Sequence, residues 1–263
     1  LDSQQFTMDF PTVYRQPLYY DDFYGTLHLD WDSDALLLHS DLITATAQEG
    51  KALALFSLNI PFRNTEPGLE MGLLVGLADS HPVHRAKYIP YTLNANLLDW
   101  LSGAIGDGDI QEAGFVWRGS LRPGASALRT VQLMLNLNNT SLAYHPDWPP
   151  VTDFQGPVLI DDTNVSVWAD TARMYNATLQ RLSVEAWKNR SEEVLLAVDG
   201  SLAGSVADGL RIVNESLLGE LTGGVFNRWQ ADGELNASLE LLLNLADTGV
   251  APEVKVQTQL VGV

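Results

Sequence analysis

The sequence predicts a mainly β protein, built as an antiparallel meander. Three observations carry this. Apolar and polar residues alternate with period two through most of the chain. Turn signals such as Asp199-Gly200 and Asp232-Gly233 are scattered among or inside the alternating runs. Only two segments switch to helical spacing.

The first short strand is Leu27-Leu29-Trp31. It runs into "DWDSDALLLHSD", where Asp30, Asp32 and Asp34 fall at calcium-loop spacing. The sixth position needs glycine and holds Ala35, and the twelfth is Asp41 rather than Glu, so a hairpin tip explains the stretch better. Next, Ala52, Ala54, Phe56, Leu58, Ile60 and Phe62 alternate. Leu97, Leu98, Trp100, Leu101, Ala104 and Ile105 then form an apolar helical stripe, with Asn94 or Asn96 as N-cap and Gly106 as stop. "GDGD" at 106–109 reads as a turn. Val131, Leu133, Leu135 and Leu137 alternate against Gln132, Met134, Asn136 and Asn138, which sets the two faces of a strand.

"YHPDWPP", residues 144–150, stops that strand. Proline lacks the ladder N–H and forces the preceding residue into extended geometry. The stretch is therefore a stiff crossover, with one strand ending near Tyr144 and the next beginning near Val158. Val165-Val167-Ala169 and Leu182-Val184-Ala186 continue the meander. A second helical stripe, Val206, Leu210, Val213, Leu217 and Leu221, opens on a Ser205/Asp208 capping box and stops at Gly223-Gly224. Both helices read as covers over part of a sheet. The last run, Trp229 to Leu245, is the longest, and would span roughly 55 Å if unbroken, with Gly233 as a bend.

Composition narrows the function. With 46% hydrophobic residues the chain can bury a sizeable core. A net charge of −18, with only 15 Lys+Arg, opposes binding to nucleic acid or to anionic lipid heads. There is no cysteine, hence no disulfide and no thiolate-bound zinc. No stretch approaches the ~18 continuous apolar residues of a membrane-crossing helix. The opening Leu1-Asp2-Ser3 is read as that of a fragment or processed piece. Without a linker or charge block, residues 1–263 are treated as one β-rich segment, with a subdivision near 94–106.

Catalytic signatures for nucleotide binding, serine hydrolysis or zinc proteolysis are missing. "HPVH" sets His81 and His84 near Asp79, but zinc needs three or four converging ligands, so no metal is assigned. No catalytic residue and no cofactor is proposed.

Three stretches resemble one family. "LNLNNTSLAYHPDWPPVTDFQGPVLIDDTNVSVWADTARMYNATLQRLSVEAW" carries a strand, a Tyr-x-Pro-x-Trp-Pro-Pro turn and further alternating strands. "AKYIPYTLNANLLDWLSGAIGDGDIQEAGFVWRGSL" carries a Tyr-x-Pro, a Trp-Leu helix, a Gly-rich turn and an Arg-Gly-x-Leu strand. "ADGLRIVNESLLGEL" is followed by the strand "GELNASLELLLNL". In order and spacing these resemble the central region of the YhdP family of AsmA-like proteins, over most of residues 20–245. Met174-Tyr175-Asn176 departs from the pattern, where a small residue or glycine is commoner.

The resemblance implies an elongated, curved antiparallel sheet forming an apolar, taco-like groove. It implies a periplasmic segment of a bridge-like phospholipid transporter, its parent anchored in the inner membrane by parts outside this piece. The lipid-facing candidates are then Phe56, Leu58 and Ile60, Val131, Leu133, Leu135 and Leu137, and Leu235, Leu239, Leu241 and Leu243. Leu239 and Leu241 are expected to be only partly buried by protein. From the residues themselves a closed β-sandwich stays open, its second sheet covering the apolar face. Two other functions compete. One is a non-conducting scaffold that tethers envelope layers. The other is a carbohydrate-active enzyme, which ranks last because the seven tryptophans are scattered.

Overall fold

A computed structural model of the chain describes residues 1–9, 16–48, 50–64, 66–80, 103–144, 148–246 and 250–262. The strands are β1 (Asp2–Met8), β2 (Leu18–Tyr24), β3 (Leu27–Trp31), β4 (Ala35–Ser40), β5 (Ile43–Ala47), β6 (Gly50–Pro61), β7 (Glu70–Ser80) and β8 (Asp109–Ser120). They continue as β9 (Arg129–Leu142), β10 (Val151–Asp161), β11 (Asn164–Ala169), β12 (Thr171–Met174), β13 (Ala177–Lys188), β14 (Val194–Ser205), β15 (Glu234–Asn244) and β16 (Glu253–Val261). Helices α1 (Val206–Asn214) and α2 (Leu217–Leu221) lie between β14 and β15.

All sixteen strands belong to one antiparallel sheet, in the order β1-β2-β5-β6-β7-β8-β9-β10-β11-β13-β14-β15-β16. β3 and β4 branch from β6, and β12 joins β10 and β13. The protein is mainly β, as the alternation requires. Among the described residues all strands pair in this one sheet, with no second, separate sheet.

The chain divides into two compact units. One comprises Leu1–Asn94, Ile110–Leu135 and Leu159–Asp162, and the other Ala95–Asp109, Asn136–Val158 and Thr163–Val263. In the first, Leu18, Tyr20, Phe23 and Ala45 form a small core, with Phe6 stacked on Phe23 at 4.1 Å between centroids. In the second, Ala172, Met174 and Ala177 are buried with Val206, Ile212, Leu218, Leu235 and Leu241.

The hairpin tip at 32–34 forms as expected. Asp32 accepts the N–H groups of Asp34 and Ala35 at 2.8 and 3.0 Å, which holds its carboxyl below the usual range. Asp30 is turned to His39 at 3.0 Å, so the three carboxylates do not converge on a cation.

Several expectations are corrected. β9 stops at Leu142 and β10 begins at Val151, seven residues before the expected Val158. Pro157 lies inside β10, two residues past the register shift between Thr152 and Gln155 where β10 pairs with β12. Asp199-Gly200 is no turn; it lies inside β14, opposite a register shift in β13 between Gln180 and Ser183. The run from Trp229 is shorter than expected, since β15 starts at Glu234. Gly233 holds φ 115, a conformation glycine favours, and takes residues 229–233 out of the ladder. β15 thus spans about 36 Å.

The second helical stripe becomes two helices, broken at Glu215-Ser216, and Leu221 is exposed. Residues 94–102 of the first stripe, His81, His84 and residues 145–147 of the proline turn lie outside the described residues. Of what remains there, Ala104 and Ile105 are buried, and Ile105 bridges to Leu142.

Candidate functional site

Directly opposed residues of an antiparallel ladder point to the same face. The registers therefore define what each unit presents. In the first unit, Leu29, Leu38, Leu58 and Met71 form one row across four strands. Beside it run Phe56, Leu73 and Trp117, then Ile43, Ala54, Val75 and Phe115. Trp31, Leu36 and Ile60 close one end. No ionisable side chain interrupts these rows. The Arg129 guanidinium lies 5.0 Å from the centroid of the Trp117 ring. The reverse face carries His28, Asp30, His39, Asn59, Glu70 and Arg118, although Leu55 and Leu74 are exposed there too.

The second unit repeats the arrangement. Val167, Val184, Val198, Leu241 and Val254 make one row through five strands. Val165, Ala186, Leu196 and Leu243 run on one side of it. On the other side come Gly200, Leu239 and Val256, then Ala172, Leu179, Leu202, Ala237 and Thr258. The opposite face presents Glu185, Asp199, Ser201, Glu240 and Lys255, with Lys255 and Glu240 paired at 2.7 Å. Each unit thus presents cross-strand rows of uncharged side chains, bordered in the first unit by Arg129 at Trp117; an acyl chain needs such rows, since its contacts depend on apolar area and not on directional groups.

The sequence candidates are distributed over these faces. Phe56, Leu58 and Ile60 share the apolar face of β6, half-buried or exposed. On β9, Val131 and Leu133 are half-buried, while Leu135 and Leu137 are enclosed by protein, Leu137 completely. The polar Gln132 and Asn136 alternate with them as the pattern requires. On β15, Leu239 and Leu243 are half-buried, but Leu235 and Leu241 are buried.

The expectation for Leu241 is therefore corrected: it is 4% exposed. Its cross-strand partners are Val198 and Val254, which flank it from both sides, whereas Leu239 faces Gly200, which has no side chain to lend. Val254, Val256 and Leu260 on β16 add exposed apolar surface that the list of candidates omitted. Their alternation, Val254, Val256, Thr258, Leu260, was readable.

The arrangement at the start of β15 was also missed. Ser205 caps α1, accepting the Asp208 N–H at 3.0 Å. Gly209 then approaches Leu235 so closely that a Cβ there would stand 2.2 Å from Leu235 Cδ2. Across the helix, Tyr175 donates a short hydrogen bond to Glu215, and Arg211 stacks 3.7 Å from the Tyr175 ring centroid. Arg211 Nε donates to Glu215 at 2.9 Å. Glu215 is held below the usual carboxylate range, first by the Tyr175 hydroxyl and then by Arg211. The one available signal was the departure at Met174-Tyr175-Asn176.

Among the described residues, no group of three or more His, Cys, Asp or Glu could hold a metal, and no helix is long and apolar enough to cross a membrane.

A family model described as YhdP protein matches residues 1–261. The chain is 27% identical over 241 residues to the intermembrane phospholipid transporter YhdP of Escherichia coli (strain K12). The match covers 90% of this chain and 19% of that relative, so the chain spans about a fifth of the protein it resembles. No solved structure matches. The model match over nearly the whole length settles the family: the chain belongs to the YhdP family.

Proposed function

We propose that this chain is a periplasmic segment of a bridge-like phospholipid conduit between inner and outer membrane, and that acyl chains travel along its uncharged cross-strand rows. The observation that carries the reading is the set of uninterrupted apolar cross-strand rows, which leave Leu239, Val254 and Val256 open to a ligand. The name of the Escherichia coli relative, an intermembrane phospholipid transporter, supports it. Phe56, Leu58, Ile60, Val131, Leu133, Leu239 and Leu243 are the proposed lipid contacts. Leu135, Leu137, Leu235 and Leu241 alternate along the same strands but are enclosed by protein. The role is binding and conduction, with no catalytic step. Attachment to the inner membrane belongs to parts of the parent outside this chain. Mass spectrometry of the purified chain tests the reading: phospholipid should co-purify, and fluorescent phospholipid should be taken up.

A second reading is a scaffold that tethers the envelope without conducting lipid. The burial of Leu135, Leu137 and Leu241 by protein atoms favours it. Lipid-free protein that takes up no fluorescent lipid is its expected signature.

A further inference from the structure

The ladder between β14 and β15 runs to a last rung at Ser205 opposite Glu234, and Val206 N–H donates to the Gly233 carbonyl at 3.0 Å. Strand ends this close are commonly joined by a tight hairpin of two residues. The chain instead leaves at Val206 and returns only at Gly233, building α1 and α2 on the way. Joining the strands does not require that excursion.

Its first helix lies on the apolar face. Leu235 shares that face with Leu239 and Leu241, and Gly209 sits on Leu235 with no room for a Cβ. The neighbouring position of β14 is Gly204, where a Cβ would stand 2.7 Å from Ala177 Cβ. The bare backbone of Gly209 thus lets the helix close down on Leu235, while Gly204 lets β13 and β14 approach closely at Ala177. From that seat α1 reaches the β12–β13 turn. There Tyr175 holds φ 55, a conformation costly for a non-glycine residue, and meets Arg211 and Glu215. Asn176 Nδ2 donates to Asp208 Oδ1 at 3.3 Å. These tie contacts are exposed, and exposed ion pairs and hydrogen bonds are individually weak and readily exchanged for water.

On the lipid reading above, we propose that α1 is a displaceable strap that closes this end of the apolar face to acyl chains, latched by Tyr175 and Asn176. Beyond the strap, Leu239 and Leu243 remain half-buried and accessible. A chain sliding toward this end of the strands meets α1 over Leu235, and passes only when the latch releases.

The absence of cysteine makes the test clean. An Asn176→Cys/Asp208→Cys chain is joined by a short, reducible thiol cross-linker. Uptake of nitrobenzoxadiazole-labelled phosphatidylethanolamine from phosphatidylethanolamine/phosphatidylglycerol vesicles is then followed before and after reduction. The cross-linked chain is expected to take up the probe roughly tenfold more slowly, with recovery on reduction. Arg211→Ala, which loosens the latch, is expected to take it up faster than the parent. Equal rates before and after reduction, or an Arg211→Ala chain no faster than the parent, overturns the strap. Failure of the parent chain itself to take up the probe overturns the lipid reading beneath it, and that result does not depend on the cross-link.

Discussion

Gly209 and Leu235 meet closely: a Cβ on residue 209 would stand 2.2 Å from Leu235 Cδ2, the tip of a buried side chain that must shift to make room. Gly209→Val therefore overfills the seat of α1. The expected cost is about 1–3 kcal/mol, seen as a lowered thermal melt. An unchanged melt with unchanged helix content would show that α1 does not rest on Leu235.

Leu239 and Leu241 share a face but not a fate. Leu241→Asp places a carboxylate among Val198, Val254 and buried surroundings, and should cost several kcal/mol and collapse the melt. Leu239→Asp faces Gly200 and stays wetted, so the fold should survive while lipid photo-crosslinking at that position is lost. If both variants melt alike, the difference in burial between the two leucines has no energetic meaning.

The Tyr175–Arg211–Glu215 cluster gives a pH dependence with a definite sign. The carboxyl of Glu215 is depressed by Tyr175 and Arg211, so its contribution is present above its unfolded pKa and lost as pH falls through the lower folded value. The Tyr175 phenol is raised, first by burial and then by Glu215, with Arg211 opposing. Its contribution is complete below the ordinary phenol pKa and disappears as pH rises through the higher folded value. The latch should be firm between these limits and loosen at both ends. Glu215→Gln should let the phenol titrate at lower pH. The measurement is phenolate absorbance, taken as the difference from the corresponding Tyr175→Phe chain.

Gly156 holds φ 147, and a Cβ there would stand 2.1 Å from the Trp168 carbonyl oxygen. Gly156→Ala adds strain and a clash with backbone that cannot step aside. A loss of more than about 1 kcal/mol is expected in denaturant unfolding. A neutral result would mean that β10 and β11 do not approach as closely as described.

By itself the sequence determined which side of the sheet each strand residue occupies. Period two is a property of the extended backbone and needs no neighbour, so Phe56, Leu58 and Ile60, and likewise Leu239, Leu241 and Leu243, share a face as their spacing demands. The tertiary structure alone decided how deeply each is buried, because burial depends on what lies across the ladder: Val198 and Val254 enclose Leu241, while Gly200 leaves Leu239 open. The helix shows the same division. Its existence and its Ser205 cap were legible, but a stripe through Val206, Leu210 and Val213 pointed one position away from the face that packs, which is Val206, Gly209 and Ile212. Hydrophobic periodicity weighs a glycine as nothing, whereas close packing selects it for the space it leaves. Nor can spacing show that Tyr175 and Glu215, far apart along the chain, meet. That contact exists only because β12, β13 and β14 pair in a register that brings the turn beneath the helix.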